Sequence, residues 1–212
     1  MIGRRLILSG LFAGSALATQ MPGRSLADDD AGAGRPSGRP IRGIDHVGLA
    51  VHDIEAATEF LRKGLGAKLI YETLKKGDAP QEGPDAERRL DLANGARITA
   101  IRMLRLGHGP GIELFQIEAP DQRAPARASD LGWQHIAVYS DDLDAALRRF
   151  EAAGGTALSR PQDMPSSEQG SGNRFCYARA PFGALVEFLT YPSPLPYEAE
   201  TPLRRWTPPV VG

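Results

Sequence analysis

His46-Val47-Gly48-Leu49-Ala50-Val51-His52-Asp53-Ile54 recurs as His135-Ile136-Ala137-Val138-Tyr139-Ser140-Asp141-Asp142-Leu143, since 135 − 46 and 142 − 53 both give 89. Self-similarity at a constant offset marks a duplicated structural unit. In each copy a short alternating segment runs into an aspartate, Asp53 or Asp142, a residue type that caps helix N-termini. Apolar residues then follow at helical spacing, Ile54, Ala57 and Leu61 in one copy and Leu143, Ala146 and Phe150 in the other. Both helices run into glycine, near Gly64 and Gly66 or at Gly154 and Gly155. Strand-like segments come next: 68–73, 97–105 and 111–118 in the first copy, 156–159, 174–180 and 184–191 in the second. Polar insertions at 74–95 and 160–173 interrupt them. The sequence therefore predicts an α+β chain of two βαβββ modules, 41–118 and 132–191. A connector rich in Ala, Pro and Arg spans 119–131. The Pro-rich stretch 192–212 should be extended and pack only where Tyr197 or Trp206 finds a groove.

Composition narrows the function classes. The chain has 212 residues, 42% of them hydrophobic, enough for a packed core. Its 25 basic and 26 acidic residues nearly cancel without forming a basic stripe, which argues against nucleic acid as a partner. One cysteine, Cys176, leaves no internal disulfide and no CxxC site. Any metal must be held by His, Asp and Glu. The first residues, a basic start at Arg4-Arg5 and a modestly apolar stretch broken by Gly and Ser, form an export signal too weakly apolar for a permanent membrane anchor. Arg4-Arg5 before Leu6-Ile7-Leu8 resembles a twin-arginine signal, which implies a periplasmic destination for a chain already folded. Cleavage after Ala27 is preferred to cleavage after Ala18, leaving 28–40 as a flexible tether.

The chemistry lies at matched places of the two modules. His46 opens the first strand of module one and Glu113 lies on its last; His135 and Glu187 hold the same places in module two. Strand alternation puts Glu113 on the opposite face from Ile112 and Leu114, and Glu187 on the opposite face from Val186 and Phe188. His46 likewise opposes Val47, Leu49 and Val51, which should pack on the helix, and His135 opposes Ile136 and Val138. Burying a carboxylate in such surroundings costs several kcal/mol unless its charge is compensated. No Lys or Arg occupies the matching strand positions, and a divalent cation on two neutral imidazoles and two carboxylates makes a neutral site. The donor types suit Zn, Ni, Co, Fe or Mn rather than Ca. A lone His or Glu at a strand end is usually an ordinary polar residue, and it is the repetition that singles these four out. His52 and His108 have no counterparts and read as surface residues. Trp133, Phe115 and Tyr139 share strand faces with the four and line the site or pack in the core. The insertion with Lys75, Lys76, Arg88 and Arg89 reads as a solvated loop or as a lid for an anionic substrate.

Ile44-Asp45-His46-Val47-Gly48-Leu49-Ala50-Val51, Gly111-Ile112-Glu113-Leu114-Phe115, Gly132-Trp133-Gln134-His135-Ile136-Ala137-Val138 and Phe182-Gly183-Ala184-Leu185-Val186-Glu187-Phe188 resemble the vicinal-oxygen-chelate superfamily over about residues 42–191. That group includes glyoxalase I, methylmalonyl-CoA epimerase, extradiol dioxygenases, fosfomycin-resistance enzymes and bleomycin-binding proteins. The resemblance implies βαβββ modules that pair into an open, barrel-like cup around one divalent metal ion, with His46, Glu113, His135 and Glu187 as ligands, a set similar to that of glyoxalase I. It does not extend to the glutathione-binding arginine of glyoxalase I, whose place Ala50 takes, nor to the glutamine that methylmalonyl-CoA epimerase commonly has at the Glu113 position.

Four protein ligands on an octahedral metal leave two adjacent sites, enough for a small substrate to chelate through two neighbouring oxygens. A lyase or isomerase working through a metal-stabilised enolate or enediolate is the expected activity, with Glu113 or Glu187 as the base. An extradiol dioxygenase needs three open sites and hence a Glu113 off the metal. A drug-sequestering binding protein would need no metal. The sequence leaves open whether the modules of one chain make the cup together or are exchanged in a homodimer.

Overall fold

The computed structural model describes residues 41–209; the predicted signal and the tether lie outside them. Module one runs β1 (His46–Val51), α1 (Ile54–Leu65), β2 (Lys68–Leu74), β3 (Gln81–Glu82), α2 (Pro84–Leu90), β4 (Arg97–Arg105) and β5 (Gly111–Glu118). Module two runs β6 (Ile136–Tyr139), α3 (Leu143–Ala152), β7 (Thr156–Ala157), β8 (Gln162–Asp163), β9 (Arg174–Arg179) and β10 (Leu185–Thr190). The sheets have matching orders, β1-β5-β4-β2 and β6-β10-β9-β7, with β3 and β8 added on β4 and β9. The first strand of each module pairs parallel with the last, and every other pairing is antiparallel. The α+β class and the paired βαβββ modules are as expected, in open, cup-like sheets.

Local chemistry explains the elements. Asp53 caps α1 by accepting from the amides of Glu55 and Ala56, and Asp142 caps α3 by accepting from Ala145. Helix α1 ends at Gly66, whose φ of 73° is left-handed. The insertion 74–95 is not a bare loop: it contains β3 and α2. Pro84 at the first turn, Asp85 and Glu87 near the N-terminus and Arg88 and Arg89 in the last turn all favour a short helix there. Its Ala86 is buried, and Leu92 packs beside Leu74, Ile98 and Ile101. Those residues, with Phe115 and Ile117, form a small apolar cluster on the Glu113 side of the first sheet. Lys75, Lys76, Arg88 and Arg89 are all exposed.

The main core decides how the modules meet. Ile112 and Leu114 from β5, Val186 and Phe188 from β10, and the apolar stripes of α1 and α3 form one continuous cluster. Phe60 and Phe150 pack edge to face at 4.9 Å, Phe150 and Phe188 at 5.1 Å, and Phe60 and Phe182 at 5.5 Å. Arg149 on α3 donates to the carbonyls of Lys63 and Arg62 at the end of α1. The two helices therefore lie against each other between the two sheets, and the other face of each sheet looks away from this core. Gly155 is required at its edge, because a Cβ there would overlap the Phe150 ring.

The tail is not simply extended. Leu195 is buried, a 3-10 turn forms at Pro196–Ala199, and the Asn173 side chain accepts from Ser193 N–H while donating to its carbonyl. Tyr191 donates to the carbonyl of Trp206, which places that indole at a cavity of about 620 Å³ between the β4–β5 turn, β6 and α3. Among the described residues no helix is long and apolar enough to cross a membrane.

Candidate metal centre

Parallel pairing of β1 with β5 sets Gly48 beside Glu113, and pairing of β6 with β10 sets Ala137 beside Glu187. In each case the histidine stands two residues earlier on the same strand face, and the small intervening side chain leaves its path to the carboxylate open. Gly111, opposite His46, is held to glycine by crowding: a Cβ there would lie 2.9 Å from Met103 Sδ and 3.2 Å from the Leu104 carbonyl.

The result is two matched couples. His46 Nε2 lies 3.3 Å from Glu113 Oε2, and His135 Nε2 lies 3.2 Å from Glu187 Oε2. Donors at metal–nitrogen and metal–oxygen distances of about 2.1 Å are separated by about 3.0 Å at a right angle and about 3.4 Å at the tetrahedral angle. Both couples fall in that range, so each is shaped to take two adjacent positions on one cation. The side chains are partly accessible, at 38% and 21% for the first couple and 26% and 17% for the second.

Two residues that the sequence reading passed over orient the imidazoles. His46 Nδ1 is 2.8 Å from Asp45 Oδ2, and His135 Nδ1 is 2.7 Å from Gln134 Oε1. An oxygen partner places the proton on Nδ1, which leaves the Nε2 lone pair of a neutral imidazole facing the carboxylate. Asp45 and Gln134 are themselves 89 residues apart, so the repeat carried this signal too. The hydrogen bond that His46 donates to Asp45 raises the pKa of His46, working against desolvation, and the Glu113 charge adds to the rise.

The four residues do not converge within one chain. Glu113 and Glu187 lie on the sheet faces opposite their core-facing neighbours Ile112, Leu114, Val186 and Phe188. Among the described residues no three of His, Cys, Asp and Glu come together as a metal-binding group. The other candidates scatter as well. Val47 is 38% exposed rather than packed on α1, because β1 is an edge strand, while Leu49 and Val51 pack as expected. Trp133 is 99% exposed, Phe115 joins the small cluster, and Tyr139 packs edge to face on Tyr191. His52 is exposed, and His108 is exposed at the rim of the cavity.

Residues 43–188, which contain both couples, match the Glyoxalase/Bleomycin resistance protein/Dioxygenase superfamily. The chain belongs to this superfamily. It is 34% identical to a 2-epi-5-epi-valiolone epimerase from Actinomyces over 81% of this chain and 93% of that protein. It is 26% identical to the uncharacterized protein YwbC of Bacillus subtilis over 69% of this chain and 95% of that one. Among solved structures it resembles a glyoxalase family protein from Bacillus cereus, at 22% identity and a TM-score of 0.56 over 73% of this chain and 97% of that chain.

Proposed function

We propose that this member of the superfamily is a metal-dependent epimerase acting beside the carbonyl of a hydroxy ketone, with His46, Glu113, His135 and Glu187 holding one divalent cation. The observation that carries the reading is the pair of matched His–Glu couples, each spaced to chelate and each with Nε2 presented by a partner on Nδ1. The epimerase relative supports isomerase chemistry, and its substrate is by name a ketone. The donor set, two imidazoles and two carboxylates, supports the cation.

Because the couples do not come together within one chain, the reading requires a homodimer in which module one of one copy faces module two of the other. β1 and β6 are free edges of their sheets, each carrying or adjoining a site histidine, and exposed Val47 and Trp133 stand beside them. A twofold axis through such a contact creates two equivalent sites, one cation per chain.

When bound, the cation withdraws charge from two neighbouring substrate oxygens and so acidifies the adjacent C–H. The protein's part is then to orient the substrate and to move the proton. A carboxylate of the set takes the proton from carbon, and return of a proton to the opposite face inverts that centre with no net change in composition. Export to the periplasm on the twin-arginine-like signal belongs to the same proposal. Its check is the N-terminal mass of protein recovered from that compartment.

Elemental analysis of the purified chain, with deuterium uptake from solvent into a panel of hydroxy ketones, tests the activity. The expected result is one divalent ion per chain and exchange at the carbon next to a carbonyl. Metal-free protein from metal-supplemented cultures, no exchange across the panel, or O2 uptake on catechols would each contradict it.

A further inference from the structure

The arginines of strands β4 and β9 are of two kinds. Arg97 pairs with Glu82 and Glu118, Arg102 with Glu55 and Glu72, and Arg174 with Asp144. Arg105 and Arg179, which end the two strands, have no carboxylate within ion-pair distance among the described residues. Each donates instead to a backbone carbonyl of the turn that follows it, Arg105 to Gly107 and Arg179 to Gly183, both at 3.0 Å. These two also occupy matched places. Gly111 stands between His46 and Arg105 in one row across the first sheet. In the second sheet Leu185 pairs with Arg179 on one side, and on the other it stands beside His135, the residue before the Ile136–Val186 pair. Residues in register share a sheet face, so both arginines rise from the faces that carry the His–Glu couples, two strands or roughly 10 Å of backbone from each histidine. Their neighbours Leu104 and Ala178 are buried in the core on the other face. The first row continues to Lys68, which is exposed, in register with Arg105 and likewise without a carboxylate partner among the described residues. Like charges directly opposite on adjacent strands repel, and cations that no acid of the chain neutralises attract an anion from outside it.

We propose that Arg105 with Lys68, and Arg179 from the facing module, form an oxyanion subsite beside the metal centre, so that the substrate is a hydroxy ketone that also carries a phosphate or carboxylate group. The inference rests on the metal-dependent reading above and deepens it by naming the substrate class. Arg105 spends only Nε on the Gly107 carbonyl, which fixes the plane of its guanidinium. Both terminal amino groups are left to grip a pair of oxygens, the geometry in which arginine binds phosphate and carboxylate. Arg179 spends one terminal amino group on Gly183 and keeps the other. A guanidinium already held by its own turn loses less freedom when the anion arrives. In the proposed homodimer each composite site takes Arg105 from one copy and Arg179 from the other. The ketone end of the substrate is then read by the couples, and its charged end by the arginines. No covalent or redox step is involved.

Nitrogen-15 spectra of the arginine Nε–H groups test the subsite without turnover, with metal-free full-length protein titrated by inorganic phosphate and, separately, by acetate. The signals of Arg105 and Arg179, assigned by their loss in Arg105→Gln and Arg179→Gln, should shift and saturate. Those of Arg97 and Arg174, already paired with carboxylates, should not. Whichever anion saturates at the lower concentration identifies the group that the substrate carries. Arg105→Gln should weaken the remaining response about 10-fold, the loss expected for one charge-assisted hydrogen bond. In the metal-loaded enzyme, kcat/KM for deuterium exchange should be higher for dihydroxyacetone phosphate than for dihydroxyacetone if phosphate is that group, and the ratio should fall about 10-fold in Arg105→Gln. Arginine signals that respond to neither anion, or a ratio that Arg105→Gln leaves unchanged, would overturn the subsite while the metal centre stands. Wild-type protein that takes up no divalent ion fails the metal-dependent reading instead, and the anion titration still decides the subsite.

Discussion

Asp45 and Gln134 precede the two site histidines, and each fixes a tautomer by occupying Nδ1. They do so unequally, because a carboxylate stabilises an imidazolium and an amide does not. His46 should therefore titrate above its ordinary value of 6.5 in metal-free protein, and Asp45→Asn should bring the midpoint down. Nitrogen-15 chemical shifts across a pH series check both. The linkage sign follows from the raised pKa: the contribution to stability is complete below the unfolded value and is lost as pH rises through the folded one. Exposure of both side chains keeps that contribution small. At this scale the two couples were legible because alternation and a constant offset are properties of sequence. Asp45 and Gln134 were equally legible by the offset. The pairing of Tyr177 with Glu187 was not, because it depends on the β9–β10 register, which the turn geometry fixes together with the apolar pattern.

Helix α1, β2 and β4 are tied together by a single side chain. Arg102, 8% exposed, donates to Glu55 on α1 at 2.8 Å, to Glu72 on β2 at 2.7 Å and to Thr58 Oγ1 at 3.1 Å. Its cross-strand partner Leu114 faces the core; in module two the corresponding partner of Phe188 is Cys176. Arg102→Met should cost about 1–3 kcal/mol in urea unfolding, at the level of lost charge-assisted hydrogen bonds, because Glu55 can regain water once released. The same hydrogen bond lowers the pKa of Glu55. Stability from this source is complete above the unfolded carboxylate value of 4.5 and is lost as pH falls through the lowered one, so the variant should lack that part of the acid dependence. The long strands and both long helices were readable from periodicity and caps. Helix α2 was not, since seven residues burying only Ala86 carry no apolar period, and its stability comes from termini and neighbours.

Placement of the modules is a property of the whole chain. The apolar stripes of α1 and α3 were visible in the sequence, but not that they would cover each other. An amphipathic helix buries its stripe against whatever face is available. Here that choice turns the two site faces outward and leaves β1 and β6 unpaired at the sheet edges. In the proposed homodimer one chain carries two halves of a site, and two chains carry two whole ones. Mixing variants distinguishes this arrangement from any site within one chain. One variant carries His46→Ala and Glu113→Ala, and the other carries His135→Ala and Glu187→Ala. Each alone should form dimers that hold no metal. After unfolding and refolding together, the mixed dimer should hold one divalent ion, at the site made from the intact module of each partner. Metal retained by either variant alone, or none recovered in the mixed dimer while wild-type protein binds it, would contradict the account.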